Sequence, residues 1–540
     1  MPDEPSHTGA AEWTRAVELE RLQPSRPIAI KLHGKQVALF LHRGEVVACN
    51  NRCPHEGYPL VEGALDENCV LTCNWHNWKF DLKTGATLYG GDNLRVYPVR
   101  VADGSVWLDI RDPPGAERAT LALEHLDTAM AEYDTARIAR ELVRLGKAGT
   151  DPAAAVARAI VATHDRLRDG MSHAYAAADV WLRLRESLDG DAPRLACATD
   201  ALAHIAFDTL RENAYPFTGD RTPWDPQAFA VAVETQDENR AAALVNGALG
   251  QGLHFAELEP ALAAAALAHY NDFGHTLIYL MHVRRLIERL GSEVERPLLL
   301  CWLRSMLYAT REDLLPDFRG YGAALERWSA AAPGCDARPA ANAFEGTSVR
   351  QALDATLAVA GNAPLDIYYA LIDAAARHLL RFDEQHALRT DNSVADNVGW
   401  LDFSHALTFG HALRQQCMRQ PDLWPQGLLQ LAMFVGRNNV YLDPGLPSKR
   451  AVDEWRVVDE SEFHSRAIDT IIDHGIGLPI FPVHWLKTWS AVRDEVAAGV
   501  PESARSALLA AVNRLLGVRF KQRHTLRTAE QALGFVGRED

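Results

Sequence analysis

Four residues constrain this chain more than any others. In the segment CPHEGYPLVEGALDENCVLTCNWHNWKFDLKTG, Cys53 and His55 have one residue between them, and Cys73 and His76 have two. Thiolates and neutral imidazoles are strong transition-metal ligands. Zinc accepts two of each, but zinc fingers pair cysteine with cysteine and histidine with histidine, whereas this segment alternates the two types. Each Cys/His pair reads as the tip of a hairpin-like loop. Gly57 and Gly63 give those loops backbone freedom, so two loops can close around one centre. Cysteines 49, 53, 69 and 73 lie close together in a chain with eight in all, which is the clustering of a metal site and not of a disulfide framework. A reducing, cytoplasmic location is the default expectation. Cys49 and Cys69 are expected as buried thiols.

The flanking sequence matches one family. CPHEGYPLVEG resembles the first cluster-binding loop of the Rieske [2Fe–2S] proteins, CNWHNWKFDLKTG resembles the second, and YPVRVADGSVWLDI resembles their closing hairpin. The resemblance implies a [2Fe–2S] cluster with Cys53 and Cys73 on one iron and His55 and His76 on the other, and a potential above that of an all-cysteine cluster. Where respiratory-chain Rieske proteins carry an extra disulfide, this chain has Tyr58 and Trp75. Where they carry hydroxyl donors, it has Trp78 and Phe80. Fewer donors mean less stabilisation of the reduced form, so the implied subtype is the lower-potential ferredoxins and oxygenase domains. Asn77 departs from the family's usual glycine and offers one donor back.

Two kinds of sequence follow one another. Up to about residue 112 the chain reads as short β-branched and aromatic strands broken by the HGK, HRGE and Asp103-Gly104 turns, a small antiparallel β domain. RDPPGAERA then marks a linker. Beyond it, Ala, Leu, Arg and Glu dominate, with apolar residues at three- and four-residue spacing, so the rest reads as helical. Asp151-Pro152 and Glu259-Pro260 fit helix starts and Gly291 a stop. The expected fold is therefore multidomain: a small all-β Rieske domain over 1–112, a linker over 113–117, and a large all-α domain over 118–540 with a split near 334–350.

The net charge of −16 argues against nucleic acid or an anionic membrane as a partner. No uninterrupted apolar run is long enough for a membrane span, and the first residues lack the pattern of a secretory signal.

The helical region offers weaker signals. HYNDFGHTLIYLMH contains Asp272, His275 and His282, and WLDFSHALTFGH contains Asp402, His405 and His411. Both begin D-x2-H, as does the iron site of the ring-hydroxylating Rieske oxygenases, but the next histidine is at the wrong distance and the helical composition contradicts that family's β-rich domain. On a helix, Asp272, His275 and His282 share a face. His275 and His282 are about 10 Å apart along the axis, too far to hold one ion, so a metal site needs several helices. Asp272, His275, Asp402 and His405 are the candidate catalytic residues, for a second, non-haem iron. An acid three or four residues before a histidine occurs about as often as chance provides and carries no weight alone. Stronger is the placing of His173, His204, His269, His275, His282, His405 and His411 among Ala, Leu and aromatics. Nothing marks His164, His254, His378 or His484. DGMSHAYAAADVWLRL and the two segments above resemble the questin-oxidase-like helical proteins, without a motif that assigns residues. No Rossmann, P-loop or nucleophile-elbow motif occurs.

The expected function is an O2-dependent oxidoreductase. A separate reductase or ferredoxin supplies electrons to the Rieske domain, and a second site in the helical domain oxidises a small organic substrate. The runner-up is a Rieske ferredoxin or redox sensor fused to a helical scaffold that binds a partner and holds no second metal.

Overall fold

The N-terminal strands are short because tight turns punctuate them. A computed structural model describes residues 12–329, 338–392, 397–521 and 524–536; the segment expected to divide the helical region thus lies partly outside the described residues. Eleven strands are described: β1 (Thr14–Glu18), β2 (Ile28–Leu32), β3 (Lys35–His42), β4 (Glu45–Asn50), β5 (Ala64–Leu65), β6 (Val70–Thr72), β7 (Lys79–Asp81), β8 (Thr87–Tyr89), β9 (Val96–Tyr97), β10 (Val99–Ala102) and β11 (Ser105–Leu108). They form three antiparallel sheets, ordered β1-β11-β10, β2-β3-β4-β9 and β5-β6-β7-β8. His33-Gly34, Arg43-Gly44 and Asp103-Gly104 each have positive φ at both positions. That is the two-residue turn whose twist matches a hairpin, and it fixes the β2–β3, β3–β4 and β10–β11 registers.

The chain divides into two compact units, Met1–Pro152 and Ala153–Asp540. The first therefore extends past Pro113 and Pro114 to include the helices Gly115–Ala131 and Thr135–Lys147. The physical reason is Asp92. This buried carboxylate follows β8 and accepts hydrogen bonds from Arg140 at 2.7 and 3.1 Å and from Arg144 at 2.9 Å, with Arg137 at 3.4 Å. Burial pushes its carboxyl up, but the arginines outweigh that and hold it below its ordinary range. A helix clamped by three side chains to one strand end folds with the sheet.

The second unit is helical throughout its named elements, and twenty-one α-helices are described in the whole chain. None of them is long and apolar enough to cross a membrane. The helix expected to start at Glu259-Pro260 begins at Phe255. His254 and Glu257 form its cap, and Pro260 lies inside the helix, where it lacks an amide to donate. Glu259 serves the packing instead, paired with Arg284 and Arg419.

Four helices position the site: His173–Glu186, Trp400–Arg419, His275–Leu290 and Ile480–Ala497. The first packs on His275–Leu290, which packs on Trp400–Arg419, which packs on Ile480–Ala497, which returns to the first, closing a ring. Their histidines 173, 275, 405 and 484 meet at one level. Further along, Asp179 meets His282, and His411 meets Glu495. All four helices therefore run the same way, with their N-terminal ends at the histidine level.

Candidate metal centres

In the first unit, two loops of matching conformation face each other. The amide of Cys53 donates to the Tyr58 carbonyl and that of Gly57 to Cys53; the amide of Cys73 donates to the Trp78 carbonyl and that of Asn77 to Cys73. Gly57 and Asn77 close the loops with φ of 77° and 61°. Asn77 thus fills a left-handed position, and asparagine is among the few side chains that tolerate it. Gly63, by contrast, is held by space: a Cβ there would lie 2.7 Å from the Thr72 carbonyl oxygen.

The loops bring the four predicted ligands together. The Cys53 and Cys73 thiols are hydrogen-bonded to each other, and burial, with Cys73 adding to it, pushes the Cys53 thiol up to about 11. The His55 and His76 rings meet edge-on with centroids 4.7 Å apart. His55 stacks on Trp78 at 4.5 Å, and its buried Nδ1 has no hydrogen-bond partner among the described residues. A buried imidazole nitrogen without a partner beside two facing thiols fits a cluster ligand set. Glu56 lies 3.9 Å from a ring nitrogen of each histidine. Tyr58 and Trp75, at the positions of the respiratory-type disulfide, stack at 5.9 Å, so aromatic contact links the loops there. Cys49 and Cys69 are buried in the core behind them.

In the second unit, His173, His275 and His405 place ring nitrogens within 4.8 Å of one another. His484 completes the group. The Nε2 atoms of His173 and His275 are 3.1 Å apart, and those of His405 and His484 are 3.2 Å apart. The other side of each ring is anchored. His275 Nδ1 faces the Asp272 carbonyl at 2.6 Å, His484 Nδ1 the Ile480 carbonyl at 2.7 Å, and His173 Nδ1 the Tyr279 hydroxyl at 3.2 Å. His405 is hydrogen-bonded to the Leu401 carbonyl. A carbonyl accepts only from N–H, so Nδ1 carries the proton where a carbonyl faces it, and Nε2 presents a lone pair. Two lone pairs at 3.2 Å repel unless a proton or a cation lies between them. Converging Nε2 lone pairs backed by Nδ1–H donors are the arrangement of an imidazole metal site.

Electrostatics agree. Burial holds His173, His405 and His484 well below the ordinary imidazole range, and Lys487 and the neighbouring histidines push the same way. Neutral imidazole is the ligating form.

Of the four candidates, the structure brings His275 and His405 together. Asp272 is not on the helix. It opens a left-handed turn, with φ of 41° at Asp272, 50° at Phe273 and 72° at Gly274, and it holds His275 through its carbonyl, with its carboxylate at 3.4 Å from the same nitrogen. Phe273 donates its amide to Glu312, whose carboxyl burial pushes up to about 7. Asp402 caps its own helix at Gly399 and pairs with Arg437 at 3.0 Å. His282 and His411 belong to the buried ionic level, on Asp179 and Glu495 at 2.8 Å. His204 lies 3.6 Å from Asp208, and His269 is held between Glu234 and Asp313. Sequence reasoning gave His173 no special weight within its group and left His484 unmarked. A usable signal was present: His173/Asp179, His275/His282 and His405/His411 repeat one spacing of six or seven residues on three apolar helices.

The two-loop geometry of the first unit defines an iron–sulfur protein of the Rieske class. The Rieske [2Fe-2S] domain model matches residues 12–97. The ferredoxin component of the naphthalene 1,2-dioxygenase system of Pseudomonas putida is 30% identical over 101 residues, which are 18% of this chain and 96% of that protein. The chain belongs to the Rieske [2Fe–2S] family. Within it, a 4β-methylsterol monooxygenase of Methylococcus capsulatus is 35% identical over 118 residues, 19% of this chain; the match spans only 32% of that enzyme's length. The solved ferredoxin of carbazole 1,9a-dioxygenase from Nocardioides aromaticivorans is 26% identical over 18% of this chain and 98% of that one, with a TM-score of 0.18. The matches lie in the Rieske part of the chain, and the relatives named are oxygenases or components of oxygenase systems.

Proposed function

We propose that this chain is an O2-dependent oxidoreductase. A separate reductase or ferredoxin reduces the Rieske unit, and a small organic substrate is oxidised at the histidine centre of the helical unit, which holds a second, non-haem iron on His173, His275 and His405 with His484 beside them. When bound, a Rieske cluster exchanges one electron at a time and has no open coordination position. Substrate chemistry therefore needs another site. Inserting one atom of O2 into a substrate and reducing the other to water consumes two electrons and two protons, so the donor must deliver twice per turnover.

The observation that carries this reading is the convergence of four Nε2 atoms inside a closed ring of helices. Imidazole suits iron as well as zinc, copper and nickel; the fused electron-transfer unit favours a redox-active metal. The ferredoxin reading has one observation in its favour, since the curated ferredoxin component is covered almost entirely by the first unit. Inward-facing histidines in a closed bundle favour the enzyme over an open scaffold.

Iron and acid-labile sulfide on anaerobically purified protein test the proposal. Three or more irons with two sulfides per chain is the expected result. Two irons with two sulfides, and no other transition metal, leaves the ferredoxin reading. In the same protein, His76→Ala should abolish turnover while the helical unit stays folded, and turnover without the cluster would overturn the relay.

A further inference from the structure

One lysine amine inside the helix ring has no hydrogen-bond partner among the described residues. Lys487 lies one turn beyond His484 on the same helix, so both side chains point into the ring. The residue is 3% exposed, and its Nζ has no hydrogen-bond partner among the described residues. On the helix Ile480–Ala497 it stands between His484 of the histidine level and Glu495 of the ionic level. His204, from the helix Asp191–Asp208, is buried with its Nε2 3.6 Å from Asp208, the carboxylate that accepts from Ser172 next to His173. Buried polar atoms in folded proteins are nearly always satisfied, and burial without an anion beside it pushes the Lys487 amine down to about 7.

The neighbouring carboxylates are committed elsewhere. Asp179 accepts from Arg289 and His282, with Arg285 at 3.8 Å. Glu495 is shared by His411 and Arg414. Asp208 accepts from Ser172. Among the described residues, the convergent nitrogen cluster includes no carboxylate oxygen. A divalent ion on neutral imidazoles keeps its whole charge, so the centre lacks an anion and the Lys487 nitrogen lacks an acceptor, and one anionic oxygen from outside would supply both.

We infer that the histidine centre takes its substrate as an oxyanion, a carboxylate or an ionised phenol or enol, with Lys487 Nζ donating to the charged oxygen. The inference rests on the metal centre proposed above. Lys487 is a substrate-binding residue in this arrangement. The ion and the Lys487 nitrogen would both act on that oxygen, which favours an anionic substrate over a neutral analogue.

The test is calorimetric titration of azide into the full-length protein after loading with ferrous iron, in wild type and in Lys487→Met, with iron content and melting temperature measured on both. The expected result is equal iron, an intact fold, and azide binding weakened by roughly thirtyfold or more, since removing one partner of a buried charge pair has effects of that order. Lys487→Arg should recover part of the loss. Formate and 4-nitrophenolate, titrated the same way, tell a carboxylate from a phenolate. Iron-loaded Lys487→Met that binds azide like wild type would overturn the inference and leave the metal centre standing. Wild type that retains no metal beyond the cluster would remove both. Should Lys487→Met lose its fold, Lys487→Gln, which keeps a polar end without the charge, gives the same reading.

Discussion

Tyr279→Phe removes one oxygen atom and changes one contact at the histidine centre. The Tyr279 hydroxyl lies 3.2 Å from His173 Nδ1, and the ring of Tyr279 meets that of His173 edge-on at 5.8 Å. For His173 to present its Nε2 lone pair to a metal, Nδ1 must carry the proton and the tyrosine oxygen must accept it. Burial holds the phenol well above its ordinary range, so the oxygen stays a neutral acceptor. Phenylalanine preserves the ring packing and deletes only the acceptor. The proton of His173 is then free to move to Nε2, the ligating tautomer loses its advantage, and metal affinity should fall about 10–100-fold, the range for loss of an outer hydrogen bond to a ligating imidazole. That is roughly 1.4–2.7 kcal/mol of binding free energy. The assay is competition with a chelator, followed by the non-sulfide iron retained per chain. Cluster content is the internal control and should not move. An affinity within twofold of wild type would refute the argument that Nδ1 anchoring sets the ligand tautomer.

Four further outcomes follow from the geometry. Asp92→Asn leaves Arg137, Arg140 and Arg144 facing a neutral amide in a buried position; it should destabilise the first unit by about 3–5 kcal/mol, seen as a lower melting temperature of the cluster's visible dichroism, and an unchanged transition would mean the helical hairpin is not needed by the β domain. Asn77→Gly should be nearly neutral, whereas Asn77→Val, forced into φ near 61°, should lower cluster occupancy; equal occupancy in both would show that the left-handed backbone at this position does not limit cluster binding. Trp75→Ala removes the stack on Tyr58 and should weaken loop closure by about 0.5–1.5 kcal/mol, read as faster cluster loss to a chelator. Burial lowers His204 and His378 to about 3 and His282 to about 4. Unfolded, they bind protons near pH 6.5, so between that pH and 3–4 the unfolded state holds more protons and stability falls with pH. The helical unit should lose stability steadily on acidification below about pH 6.5, and His378→Leu should flatten that slope in denaturant titrations; an unaltered slope would show His378 is not protonated on unfolding.

What the sequence determined by itself is local. Cys53, His55, Cys73 and His76 lie within one stretch, and the residues that shape their loops are written beside them, because each loop is closed by one left-handed residue, Gly57 or Asn77. The change from strand to helix is equally local, since side-chain periodicity reports it within a few turns. The helical centre is different in kind. Its four imidazoles come from four helices spread between residues 173 and 484, and which helices become neighbours depends on the packing of whole faces. Asp272 and Asp402 satisfied the local pattern, yet one acts through its backbone in a left-handed turn and the other caps a helix, choices made by Glu312 and Arg437 from elsewhere in the chain. His484 and Lys487 carried no local signature at all. Only the closed ring of parallel helices, which brings four N-terminal ends to one level, makes the imidazoles converge and leaves the Lys487 amine inside without a partner among the described residues.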